Sequence, residues 1–140
     1  MKVSELLSMA GSLGACEKSG KATDWKSVCW LFFTPQGREF CARHNFPSLE
    51  SFRLVKGEVQ KYGIYVDSGG IKLSDVENIA LVGDTSAELT YSGADVIHRV
   101  ILMHGAKAVI NVSRYAVVSV LNISGSYEIV NDGTARVLHG

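Results

Sequence analysis

The spacing of apolar residues along this 140-residue chain changes near Tyr62. Before that point they recur at three and four, the period of a helix; beyond it they alternate between turn formers, the period of a strand. Leu6, Leu7, Met9, Ala10 and Leu13 predict a first short helix, capped at Ser4 or a neighbour and loosened at its end by Gly11 and Gly14. A polar loop over residues 17–23 follows, and Asp24 then stands as N-cap ahead of the run from Trp25 to Phe33. Thr34 and Pro35 supply a capping hydroxyl and a proline whose missing N–H costs nothing at the first helical position, so a helix is expected from Pro35 to about His44. Its inward stripe is Phe40, Cys41 and His44, and Asn45-Phe46-Pro47 stops it. Ser48 caps a further helical segment to Lys56, with Leu49, Phe52 and Val55 on one side.

Strands are expected over Tyr62–Val66, Ile79–Val82, Ala87–Tyr91, Val96–His104, Lys107–Val112, Ala116–Leu121, Tyr127–Val130 and Ala135–Leu138, with Asp67-Ser68-Gly69-Gly70 and similar clusters as turns. Short strands at such even spacing fit a β-solenoid, in which each strand stacks on its equivalent one turn on, or an antiparallel sandwich or barrel. An echo between Val82–Leu89 and Val130–Val137 lies 48 residues apart, or two turns of about 24, and Gly105–Ile110 offers a third copy between them. The expected fold class is therefore α+β, with a helical region over 1–61 and a β-rich body over 62–140 in one compact domain.

Alternation also assigns faces. Ala108, Ile110, Val112, Val118, Val120, Ile129 and Val137 form one apolar set, opposed by Lys107, Asn111, Ser119, Glu128 and Arg136. Val109, Val117 and Leu138 interrupt the polar set. Either the N-terminal helices cover that mixed patch or a partner does.

Composition narrows the functional classes. Apolar residues make up 46% and charged residues 20%, which excludes a disordered chain. Fourteen basic and fourteen acidic side chains cancel, so no global field draws in nucleic acid or anionic membrane, and little self-repulsion keeps copies apart. The balance is uneven, with residues 1–62 holding nine Lys or Arg against six acids and residues 63–140 holding five against eight. The longest apolar run, Val28 to Phe33, is far short of the roughly 20 residues that cross a bilayer. The N-terminus has no continuous apolar core of a signal peptide, and the expected location is the cytoplasm.

Candidate chemistry is sparse. Cys41 and His44 lie one helical turn apart, and with Cys16 and Cys29 a three-Cys, one-His zinc set can be written, but only one pair is close in sequence and buried structural cysteines fit better. His98 and His104 share strand parity yet stand about 20 Å apart, too far for one ion. Asp84 and Asp132 sit in look-alike turns and read as turn residues rather than calcium ligands. No phosphate-binding or nucleophile-elbow glycine motif occurs, and no cofactor is expected. A glycan-cleaving enzyme would need two carboxylates about 5 to 9.5 Å apart in a cleft, drawn from Asp84, Glu88, Asp95, Glu128 and Asp132. DNA binding would rest on Lys26, Arg38, Arg43, Arg53, Lys56 and Lys61 of the helical region.

The strings Phe33-Thr34-Pro35-Gln36-Gly37-Arg38-Glu39-Phe40-Cys41 and Asn45-Phe46-Pro47-Ser48-Leu49-Glu50-Ser51-Phe52-Arg53, with Val100–Ala108, resemble a family of short uncharacterised proteins of gut Bacteroidetes and their phages or mobile elements. The resemblance implies a mobile-element context and carries over no catalytic residue or cofactor. The leading expectation is a non-enzymatic protein-binding or assembly factor, acting on a protein partner or as a homo-oligomer through Trp25, Trp30, Phe33, Val109, Val117 and Leu138. A glycan-binding or glycan-cleaving β-protein and a DNA-binding protein are the alternatives.

Overall fold

The computed structural model describes residues 1–15 and 22–140, and the chain divides into two compact units, Met1–Ile64 and Tyr65–Gly140. Among the described residues the first unit holds four α-helices, α1 (Val3–Ser12), α2 (Trp25–Phe33), α3 (Pro35–His44) and α4 (Leu49–Val59), the last followed by a 3-10 turn over Gln60–Tyr62. Three of the four begin on the caps that the sequence offers. Asp24 accepts from the Ser27 N–H at 2.8 Å, Thr34 from the Gly37 N–H at 3.1 Å and Ser48 from the Ser51 N–H at 3.1 Å. The first helix starts earlier than Ser4: Lys2 is its N-cap residue, and the Glu5 carboxylate turns back to accept from the Lys2 N–H at 3.3 Å.

Only Thr34 separates α2 from α3. So tight a joint requires Gly37, where a Cβ would lie 1.9 Å from the Leu31 carbonyl oxygen. Leu6, Cys29, Phe32, Phe52, Val55, Val59 and Ile64 are buried in this unit, and the Phe32 ring meets Phe33 and Phe52 edge-on.

The second unit is a two-sheet parallel β-solenoid. Strands β1 (Ile64–Val66), whose first residue closes the helical unit, β3 (Asn78–Val82), β5 (Ile97–Met103), β7 (Val117–Asn122) and β9 (Arg136–His139) form one sheet. The other contains β2 (Gly69–Ser74), β4 (Thr85–Ser92), β6 (Lys107–Ser113) and β8 (Ser126–Asn131). Every pairing from β2 to β9 is parallel and joins strands two apart in sequence, so each coil adds one strand to each sheet. This settles the choice between solenoid and antiparallel sandwich or barrel.

The coil length departs from the expected 24. Ile79 pairs with Val100, Val100 with Val120 and Val118 with Val137, steps of 21, 20 and 19 residues. The echo at 48 residues therefore spans about two and a half coils and superposes β3–β4 on β8–β9, strands of different sheets. Both halves of a coil demand the same chemistry, a small-residue corner followed by an alternating strand, and this makes half-coils look alike. The Gly105–Ile110 segment is the true neighbouring copy, with Ser86 beside Lys107 and Ala87 beside Ala108.

Strand β2 escapes the sequence pattern because Gly69-Gly70 reads as a turn and leaves only Ile71 and Leu73 to alternate. It lies beside β4 over its full length. Tyr62, expected to open the first strand, belongs instead to the 3-10 turn, which Gly63 ends at φ 93°.

Inward columns fill the interior. Leu73, Leu89, Ile110 and Ile129 stack from coil to coil on one sheet, and Ile79, Val100 and Val120 on the other. At one corner the column runs Thr85, Ala106, Gly125, shrinking as the backbones close in. A Cβ on Gly125 would stand 2.4 Å from the Ala106 carbonyl oxygen, whereas Thr85 has room to accept from the Ser68 N–H and donate to the Val82 carbonyl, both at 3.0 Å.

Candidate functional site

Alternation in a solenoid sends every second residue outward, so each sheet presents a flat outer face whose rows follow from register. On the five-stranded sheet, Ile97, Val117 and Arg136 form one outward row, and Arg99, Ser119 and Leu138 the next. Ile97 is 45% exposed and Leu138 42%, while Val117 and Arg99 are half-buried. Three apolar side chains from three neighbouring strands thus share the exposed end of this face with two guanidinium groups, whereas further along it Ala80, Val82, Ile101 and Met103, of the same outward parity, are buried. Val96, in the preceding turn, is also exposed.

On the four-stranded sheet the central outward row is Lys72, Glu88, Val109, Glu128. Lys72 Nζ lies 3.5 Å from Glu88 Oε2, both groups well exposed. Val109 is 37% exposed and Val130, in the next row, 55%. The expected patch of Val109, Val117 and Leu138 is therefore divided: Val117 and Leu138 are neighbours on one sheet, and Val109 stands on the other. Strand parity alone cannot reveal this, because it says which residues point outward without saying from which sheet.

The aromatic half of the expected interface is likewise split. Trp30 is 69% exposed, whereas Trp25 lines a small apolar cavity of the helical unit with Cys29, Phe32 and Phe52, and Phe33 is half-buried against Phe32.

Cys16 lies outside the described residues. Cys29 and Cys41 are buried, and loss of water pushes each thiol up to about 12, so neither supplies a thiolate at neutral pH. The His44 ring packs 4.7 Å from Phe40. Among the described residues no group of three or more His, Cys, Asp or Glu side chains converges as metal ligands. His98 points inward beside Val100 and Leu102; its Nδ1 lies 3.2 Å from the Val76 carbonyl oxygen and its ring 4.4 Å from Tyr91. Burial, and secondarily Asp75, drives the Tyr91 phenol well above its ordinary range. His104 begins the next corner at φ 56°, its N–H donating to Ser124 at 2.7 Å.

Asp84 and Asp132 occupy opposite corner series rather than equivalent turns. Asp132 accepts from the Thr134 N–H and hydroxyl and from the Arg114 N–H, an Asx-type turn that holds its carboxyl below the usual range. Glu88 and Glu128 are the two of the five carboxylates that share a row, two strands or about 9.6 Å apart, on an open sheet face rather than in a cleft. Of the basic helical residues, Arg43 is held by Glu39 at 2.8 Å. No helix among the described residues is long and apolar enough to cross a membrane.

Comparison with protein-family models, with curated proteins and with solved structures finds no match to this chain.

Proposed function

We propose that this protein is a non-enzymatic assembly factor that associates with copies of itself through the outer face of the five-stranded sheet. The observation that carries the reading is the adjacency of Ile97, Val117 and Leu138, apolar residues from neighbouring strands at the end of the outer face that reaches solvent. Exposed apolar groups scattered singly are ordinary, but adjacent ones on a rigid surface favour burial against a partner. A chain with no net charge adds little repulsion to oppose contact between copies. The mobile-element context implied by the sequence resemblance fits an accessory factor of this kind.

Sedimentation velocity over a dilution series tests the proposal. Wild-type protein is expected to sediment faster as it is concentrated, and Leu138→Glu, at an exposed position where folding tolerates the change, to remain a monomer. Identical behaviour of the two proteins at every concentration would overturn it.

A further inference from the structure

The strands of the last coil leave one backbone edge open. β8 and β9 are the outermost strands of their sheets, and among the described residues no strand lies beyond them. On β9 the Arg136 N–H donates to the Ala116 carbonyl at 2.9 Å, and past its end the Gly140 N–H donates to Val120 at 2.8 Å. On β8 the Ser126 N–H donates to the Ala106 carbonyl at 3.0 Å, and past its end the Asp132 N–H donates to Val112 at 3.2 Å. Even-numbered residues thus turn their backbone groups back to the preceding coil, and Tyr127, Ile129, Asn131, Val137 and His139 turn theirs to the open edge. Tyr127, Ile129 and Val137 point inward yet are only half-buried, whereas their neighbours one coil back, Ala108, Ile110 and Val118, are buried. Such an edge is a template for another extended strand.

The edge is complementary to itself. Tyr91 and His98 face each other across the interior with ring centroids 4.4 Å apart. Followed from coil to coil, Tyr91 leads through Val112 to Asn131 and His98 through Val118 to Val137. Asn131 is therefore level with Val137, Val130 with Leu138 and Asp132 with Arg136. A two-fold axis along the strands keeps every residue at its own level and exchanges the sheets, so β9 of one copy lies antiparallel beside β8 of the other with no freedom to slide. Val137 then meets Asn131 and His139 meets Ile129, edge-facing groups on both sides, as a hydrogen-bonded antiparallel pair requires. Leu138 meets Val130, two exposed apolar side chains on one outer surface, and Arg136 comes beside Asp132. The alternative two-fold, normal to the sheets, sets each strand against its own copy. Matching Leu138 to Leu138 there also brings Glu128 beside Asp132, an acid against an acid.

We infer that the protein pairs tail to tail with a second copy through its last coil, each sheet of one molecule running on into the opposite sheet of the other. This goes beyond the face contact proposed above: it uses the strand edge, and either contact can fail without the other.

Disulfide trapping tests the geometry at Val130 and Leu138, which face each other as a non-hydrogen-bonded pair, the closer kind. Val130→Cys and Leu138→Cys are made separately in a Cys16→Ser background, tagged differently, checked for native circular dichroism and oxidised mildly, alone and mixed. Edge pairing gives the mixed disulfide in the mixture and no dimer from either protein alone. A dimer from Leu138→Cys alone would overturn it, since β9 would then meet its own copy or the five-stranded face would meet itself. Amide exchange on the unaltered protein gives a second reading. Where about nine-tenths of the chains are paired, exchange at Tyr127, Ile129, Asn131, Val137 and His139 is expected to slow about tenfold against a dilute sample, because only the free tenth exchanges. Association that traps no disulfide and leaves these amides fast would overturn the edge contact and leave the face contact standing. A protein that stays monomeric at every concentration defeats both.

Discussion

Ile110→Ala, compared with the same change at Ile129 and with Val109→Ala, reads the solenoid register directly as free energy. Ile110 is fully buried between Leu89 and Ile129 in the column that crosses the four-stranded sheet. The substitution removes three carbons, a transfer loss of about 2.4 kcal/mol at ~0.8 kcal/mol each. Close backbones above and below hinder collapse of the cavity, which raises the total to about 3–4 kcal/mol. Ile129 occupies the same column one coil on but is half-buried, so its loss is expected at about 1–1.5 kcal/mol. Val109, beside Ile110 but outward and exposed, should cost about 0.5 kcal/mol or less. Urea unfolding followed by circular dichroism in the β-sheet region gives these as shifts of midpoint at constant slope. A Val109→Ala loss equal to that of Ile110→Ala would refute the register, since slipping a strand by one residue exchanges the faces. Equal losses at Ile110 and Ile129 would refute the stacking of coils.

Other consequences can be measured independently. Gly37→Ala and Gly125→Ala each drive a methyl into a backbone carbonyl, at 1.9 Å and 2.4 Å, and each should lower stability by about 1–3 kcal/mol or more in urea unfolding. Cys29 and Cys41 should resist a thiol reagent until the protein unfolds. Because folding raises their pKa values from 9.0 to about 12, the unfolded chain loses thiol protons first, and thermal stability should fall as pH rises above about 9. Asp132 has the opposite sign: its folded pKa lies below the ordinary 3.8, so its turn stabilises the fold above that value and loses the effect as pH falls through the folded value. Asp132→Asn should flatten that acid limb of the melting-temperature profile.

Much of this architecture is legible in the chain. Asp24, Thr34 and Ser48 act as caps because a short polar side chain before an apolar period can satisfy N–H groups that the helix leaves open. Alternation correctly separates Ala108, Ile110 and Val112 from Lys107 and Asn111. It is silent on which strand lies beside which, since parallel and antiparallel neighbours need the same two-residue period. For that reason the split of Val109 from Val117 and Leu138 emerges only with the register. Ile97 and Val130 are missed for a related reason. An apolar residue at a strand's end looks like core until the corner beside it is placed, and both are exposed.

Self-association is tested most directly by recording amide chemical shifts while the protein is concentrated, and mapping the changes onto the chain. Self-association through the five-stranded sheet is expected to shift Ile97–Arg99, Val117–Ser119 and Arg136–Leu138. Changes confined to the helical unit around Trp30, or none across the whole concentration range, would contradict it.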